Sequence, residues 1–104
     1  MSDAHKVLQA LGDATRRDMV ERLTDTAMSV SALAAPYDMT LTAVGQHLAI
    51  LEAAGLVKTE KIGRVRSCSL NPAGFAVLDI WTKARRSTWE RRLDALGDIL
   101  DGPS

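Results

Sequence analysis

From Pro72 to about Leu100 the sequence keeps a helical pattern, in a chain of 104 residues. One continuous helix over that span, about 29 residues, would be roughly 43 Å long at ~1.5 Å per residue. A folded domain of ~100 residues has a radius of gyration of only roughly 13 Å, so a chain of this size cannot cover such a rod with its own core. "NPAG" gives the start, with Asn71 as cap and Pro72 in the first turn, where its missing amide costs nothing. Ser87 followed three residues later by Glu90 has the form of a capping box, so a bend near Arg86 into two helices is an expected variant. Trp89, Leu93, Leu96 and Leu100 then recur at spacings of 4, 3 and 4, like one strand of a coiled coil. Packing on the chain's own first helix would cover some of this strip. The expectation is that a second copy does, in a homodimer.

The residues before the tail fit one small domain of short helices. Val7, Leu8 and Leu11 fit a helix from about Asp3 to near Gly12, where a glycine is expected to close the helix in the left-handed conformation. Asp13 caps a second helix, "ATRRDMVERL", with Met19, Val20 and Leu23 on one side. Ser29 opens a third segment in which Val30, Leu33 and Ala34 face inward, until Pro36 forbids continuation. Thr40 caps the next helix, within "TLTAVGQHLAILEAAGLV", whose Val44, Leu48 and Leu51 form the inner stripe before Gly55 ends it. "LVKTEK" and "RVRSCSL" then read as two strands joined at Ile62 and Gly63.

Charge is unevenly placed. Thirteen basic and thirteen acidic residues cancel overall, yet Lys58, Lys61, Arg64 and Arg66 crowd the ribbon with Glu60 as its one acid. Composition is that of a soluble globular protein, 46% hydrophobic and 25% charged. With no apolar run of ~18 residues and no secretory leader pattern, a cytoplasmic location is expected.

Helix, turn, capped helix and basic ribbon, in that order, make a winged helix-turn-helix, mainly α with a small two-stranded β-ribbon. In DNA readers of this kind the second helix enters the major groove and its N-terminal side chains meet base edges. The front of "TLTAVGQHLAILEAAGLV" is small, uncharged and hydrogen-bonding, which suits that task. Gln46 can bond adenine with both amide atoms, and the methyl groups of Thr42 and Ala43 suit the thymine methyl. Lys58, Lys61, Arg64 and Arg66 are available for phosphates or the minor groove. The domain divides into a helix-turn-helix over about 29–54, a wing over 56–70 and dimerisation helices over 72–100.

"LGDATRRDMVERL", "TLTAVGQHLAILEAAGLV" and "GRVRSCSLNP" resemble, in order and separation, motifs of the ArsR/SmtB-type bacterial repressors. The resemblance implies a homodimeric transcriptional repressor bound to an inverted-repeat operator, with double-stranded DNA as partner and terminal helices at the dimer interface. By position it assigns Thr40, Leu41, Thr42, Ala43, Gly45, Gln46 and His47 to the DNA-facing front, with Gly63 and Arg64 at the wing tip. It assigns Val7, Leu8, Leu11, Trp81, Trp89, Leu93, Leu96 and Leu100 to dimer contact. Gly45 stands where the family usually has serine. Arg16 is expected in a structural ion pair, with DNA-backbone contact as the alternative, and His47 either in a structural hydrogen bond or on a phosphate.

No cofactor or metal is expected. The family's best-known members sense metals through a cysteine pair on the third helix or through histidines and carboxylates on the last one. Here "VSALAAPYDM" holds neither Cys nor His, and no histidine follows His47. The subgroup lacking those sites is the better match, released by a signal of another kind. Cys68, the lone cysteine, is expected to be a buried strand residue, with redox sensing as the alternative. No GxSxG, HExxH or phosphate-binding glycine loop is present, so an enzyme is not expected. The remaining alternative is a winged helix used for protein contacts without DNA.

Overall fold

The computed structural model describes residues 3 to 100. Asp3–Ala10 (α1) and Ala14–Asp25 (α2) lead into a two-residue strand, Met28–Ser29 (β1), and the short helix Val30–Ala34 (α3). Leu41–Ala53 (α4), the strands Val57–Ile62 (β2) and Val65–Leu70 (β3), and Pro72–Leu100 (α5) complete the chain.

The expected ribbon gains a third strand. Sheet order is β1-β3-β2, all antiparallel, with Met28 opposite Cys68 and Ser29 opposite Ser67. Two residues are too few to show the alternation that marks a strand in sequence.

The core gathers one stripe from each helix. Val7, Met19, Leu23, Leu33, Val44, Leu48, Leu51 and Leu56 are buried together, with Val57 and Cys68 as the sheet's contribution. Val7 was assigned to the dimer surface by resemblance, and the fold corrects this, because Val7 is 1% exposed in the chain's own core; Leu11 packs against that core and stays half-buried. Leu8, the next residue round α1, is 42% exposed.

Helix ends are closed in two different ways. Gly12 does not take the left-handed conformation; among the described residues only Gly55 and Gly63 have positive φ. The last carbonyls of α1 are taken by arginines instead, as Arg16 Nε donates to Ala10 O at 2.6 Å and Arg17 Nη1 to Leu11 O at 2.7 Å. At the end of α4, Gly55 at φ 73° makes the paired bonds of a Schellman turn, Gly55 N to Glu52 O and Leu56 N to Leu51 O, both 3.0 Å. The start of α5 is pinned there: Asn71 N donates to Leu56 O at 2.9 Å and Gly74 N to Gly55 O at 2.8 Å.

α5 runs unbroken for 29 residues, without the bend near Arg86. Glu90 lies 3.9 Å from Arg86 one turn back, instead of capping at Ser87, and Thr82 and Thr88 return their hydroxyls to carbonyls of the preceding turn. Phe75, Val77 and Leu78 pack on the core, and the remainder projects away from it. The extents of 73 × 27 × 24 Å and radius of gyration of 19.1 Å record that projection. Among the described residues no helix is long and apolar enough to cross a membrane.

Candidate nucleic-acid interface

The turn between α3 and α4 is held rigidly from behind. Ser29 caps α3 by accepting from Ala32 N at 3.0 Å. Arg22 of α2 donates to Leu33 O at 2.6 Å and Ala32 O at 3.2 Å, so one guanidinium closes the end of α3. The same group lies 5.3 Å from the centre of the Tyr37 ring, and Tyr37 donates its hydroxyl to Asp18. Burial and the adjacent Asp18 push the Tyr37 hydroxyl above its ordinary range. Thr40 then opens α4 by accepting from Ala43 N at 3.1 Å.

Val44, Leu48 and Leu51 bury the back of α4. On the other side Thr42, Gln46 and Ala49, spaced four and three residues from one another, project outward and are exposed, as is Leu41 at the first turn. Gly45 lies on the side of α4 facing the wing. It lines a groove of about 200 Å³ with Ala49, Glu52, Thr59 and Arg66, and nothing stands within 4 Å of where a side chain would begin. His47 lies on the other flank, half-buried, with Nδ1 3.2 Å from Arg16 Nη1.

The wing's cations are sorted by register. Lys61 pairs directly with Arg66, so two like charges stand side by side on one face, along with Thr59 and Cys68 below them. Juxtaposed cations repel, and an anion between them removes the repulsion. Lys58 is on the opposite face, two residues from Glu60. Arg66 also donates to Thr59 at 3.4 Å, and Thr59 to Glu52 of α4 at 3.1 Å, which ties the wing to α4. Arg64 is exposed in the two-residue turn. A second groove, of about 470 Å³, lies between this turn and the start of α3, lined by Ser29, Ser31, Arg64 and Arg66.

Asp13 accepts from Thr15 N at 2.8 Å and Arg16 N at 3.1 Å. The Arg16 amide bond is the main reason its carboxyl titrates below the ordinary aspartate value. Cys68 is 0% exposed, and burial pushes its thiol up. Among the described residues no group of three or more His, Cys, Asp or Glu side chains comes close enough together to hold a metal ion.

Residues 11–60 match the helix-turn-helix domain family. The HTH-type transcriptional regulator Rv2034 of Mycobacterium tuberculosis is 38% identical over 95 residues, covering 86% of this chain and 88% of that protein. Among solved structures, an ArsR family transcriptional regulator is 36% identical with a TM-score of 0.80, covering 86% of this chain and 98% of its own. The chain belongs to the ArsR-type helix-turn-helix transcriptional regulators. An ArsR-like regulator from Rhodococcus sp. RHA1 also superimposes, with 30% identity and a TM-score of 0.81, over 93% of this chain and 92% of that one. The protein is thus a DNA-binding transcriptional regulator of this type and not an enzyme.

As an ArsR-type regulator the protein carries features its sequence did not announce. Among the described residues Arg16 forms no ion pair; it bonds two carbonyls of α1 and His47. Ala49 extends the outward face of α4 by a turn, and only the helical phase set by Val44 and Leu48 could have found it. Ser31 reaches the wing groove through tertiary folding alone. Lys61 and Arg66 are brought together, whereas Lys58 is turned away from them.

Proposed function

We propose that the protein is a homodimeric repressor whose two α4 helices read an inverted repeat, released by a signal other than metal binding. The observation that carries this reading is the separation of tasks on α4: an apolar back locked into the core, an uncharged hydrogen-bonding front, and cations at its flanks, those of the wing on one side and Arg16 on the other. Thr40, Leu41, Thr42, Ala43, Gly45 and Gln46 form the base-facing front, and Lys61, Arg64 and Arg66 take phosphates or the minor groove.

The outer part of α5 supports the dimer. Trp89, Leu93, Leu96 and Leu100 are 62%, 59%, 50% and 75% exposed, a large apolar strip on a helix that its own domain leaves uncovered. Trp81, 37% exposed and stacked 5.4 Å from the Arg85 guanidinium, lies nearer the core on the same helix. A second copy crossing α5 would cover the strip and set the distance between recognition helices. Footprinting on the DNA upstream of the protein's own gene tests this. Protection of two half-sites about one helical turn, ~10 base pairs, apart or a multiple of it is expected. Protection of a single unrepeated site by a monomer would refute it.

A further inference from the structure

We propose that Arg16 is a positioning residue for DNA binding, which holds His47 in the tautomer that presents its Nε2–H as a phosphate donor. The inference rests on the DNA-binding reading above.

Arg16 is fixed at two points by the end of α1, with Nε on Ala10 O at 2.6 Å and Nη2 on Gln9 O at 3.3 Å. Those bonds complete its service to α1. They leave Nη1 directed at α4, where it meets His47 Nδ1 at 3.2 Å. A guanidinium has donors only, so the ring nitrogen facing it must be the acceptor. In a neutral imidazole the proton then belongs to Nε2. Among the described residues Nδ1 is the one nitrogen of this ring with a hydrogen-bond partner.

His47 is half-buried one residue past Gln46, on the α2 flank of the front. A ring anchored at Nδ1 from the α2 side offers its Nε2–H at the border of the DNA-facing surface, where the sugar-phosphate backbone beside the groove passes. The charged groups on this side include Arg16 and Asp13 of the α2 corner, which act on one another, and Lys6 of α1, which lines the same groove as Arg16. Arg16 thereby links the end of α1 to the donor of the recognition helix, a role that α1 capping alone does not require.

The test combines imidazole ¹⁵N spectra with a mutant cycle on the full-length protein and its upstream DNA. In wild type, His47 should show an unprotonated Nδ1 and a protonated Nε2 at mildly alkaline pH, and Arg16→Lys should mix the two tautomers. His47→Gln supplies a donor near the Nε2 position and should keep most of the affinity. His47→Asn places its amide at the Nδ1 position, with no donor reaching the Nε2 position, and should lose about tenfold, the scale of one hydrogen bond to a charged group. Arg16→Lys should weaken binding severalfold with His47 present and not in the His47→Gln background. A protonated Nδ1, or an equal loss from Arg16→Lys in both backgrounds, overturns the proposal while leaving DNA binding intact. Failure of folded wild-type protein to bind any DNA would instead overturn the DNA reading and the proposal with it.

Discussion

Gly74→Ala is expected to loosen the joint between the recognition helix and the long terminal helix. A Cβ at position 74 would lie 2.7 Å from Ala54 O and 2.8 Å from both Gly55 C and Gly55 O. All three are backbone atoms, so no side-chain rotation relieves the contact. Reaching ordinary separation requires α5 to retreat by roughly 0.7 Å, which stretches the Gly74 N to Gly55 O bond and strains tightly packed surroundings. Overpacking of this kind costs about 1 to 3 kcal/mol and the hydrogen bond contributes about 1, while alanine returns up to about 1 in helix propensity. The net loss is about 1 to 3 kcal/mol, a large part of the ~5 to 15 kcal/mol that holds a domain together. Urea denaturation at fixed protein concentration measures it, with Gly45→Ala as the control. Nothing lies within 4 Å of the added methyl at position 45, so that variant should gain up to about 1 kcal/mol. Equal stability of Gly74→Ala and wild type would refute the close-approach argument.

Three further outcomes are expected. Trp89→Glu places a charge on the exposed strip of α5 and should shift the sedimenting species from dimer to monomer; an unchanged dimer would move the interface elsewhere. Asp13→Asn keeps the capping oxygen and removes its charge. Because the folded-state carboxyl titrates below the ordinary aspartate value of 3.8, the stability it adds is present above that value and is lost as pH falls through the folded-state one. The gap between wild type and Asp13→Asn in thermal denaturation should therefore close below about pH 4, and a gap constant from neutral to acidic pH would contradict it. Gly45→Ser enters open space, so it should fold normally and bind operator DNA severalfold tighter by restoring a hydroxyl donor at the groove; weaker binding would show that the groove approaches the backbone at that point.

How much of this was legible follows from what kind of signal each feature leaves. Helix starts carry their own chemistry, and Asp13 and Thr40 were readable as caps because the capping side chain sits within three residues of the amide it serves. The stripe of Val44, Leu48 and Leu51 was readable because burial repeats at the helical period. Long-range polar bonds leave no such mark: Arg16 on α1 and His47, or Arg22 on α3, joins residues whose proximity only folding creates. Gly12 misled because an arginine on a neighbouring helix can close a helix end as well as a left-handed glycine does. The same limit applies to the interface, where Val7 and Leu8 look alike in sequence until the fold buries one and exposes the other.

Affinity for operator and random duplexes, measured side by side by fluorescence anisotropy at one salt concentration, tests the central claim that α4 reads bases and the wing holds phosphates. Gln46→Ala should cost about 1 to 3 kcal/mol on the operator, relax preference at one base position per half-site and leave random-duplex affinity nearly unchanged, whereas Arg64→Ala should weaken both duplexes alike. An equal loss on both duplexes from Gln46→Ala would contradict it.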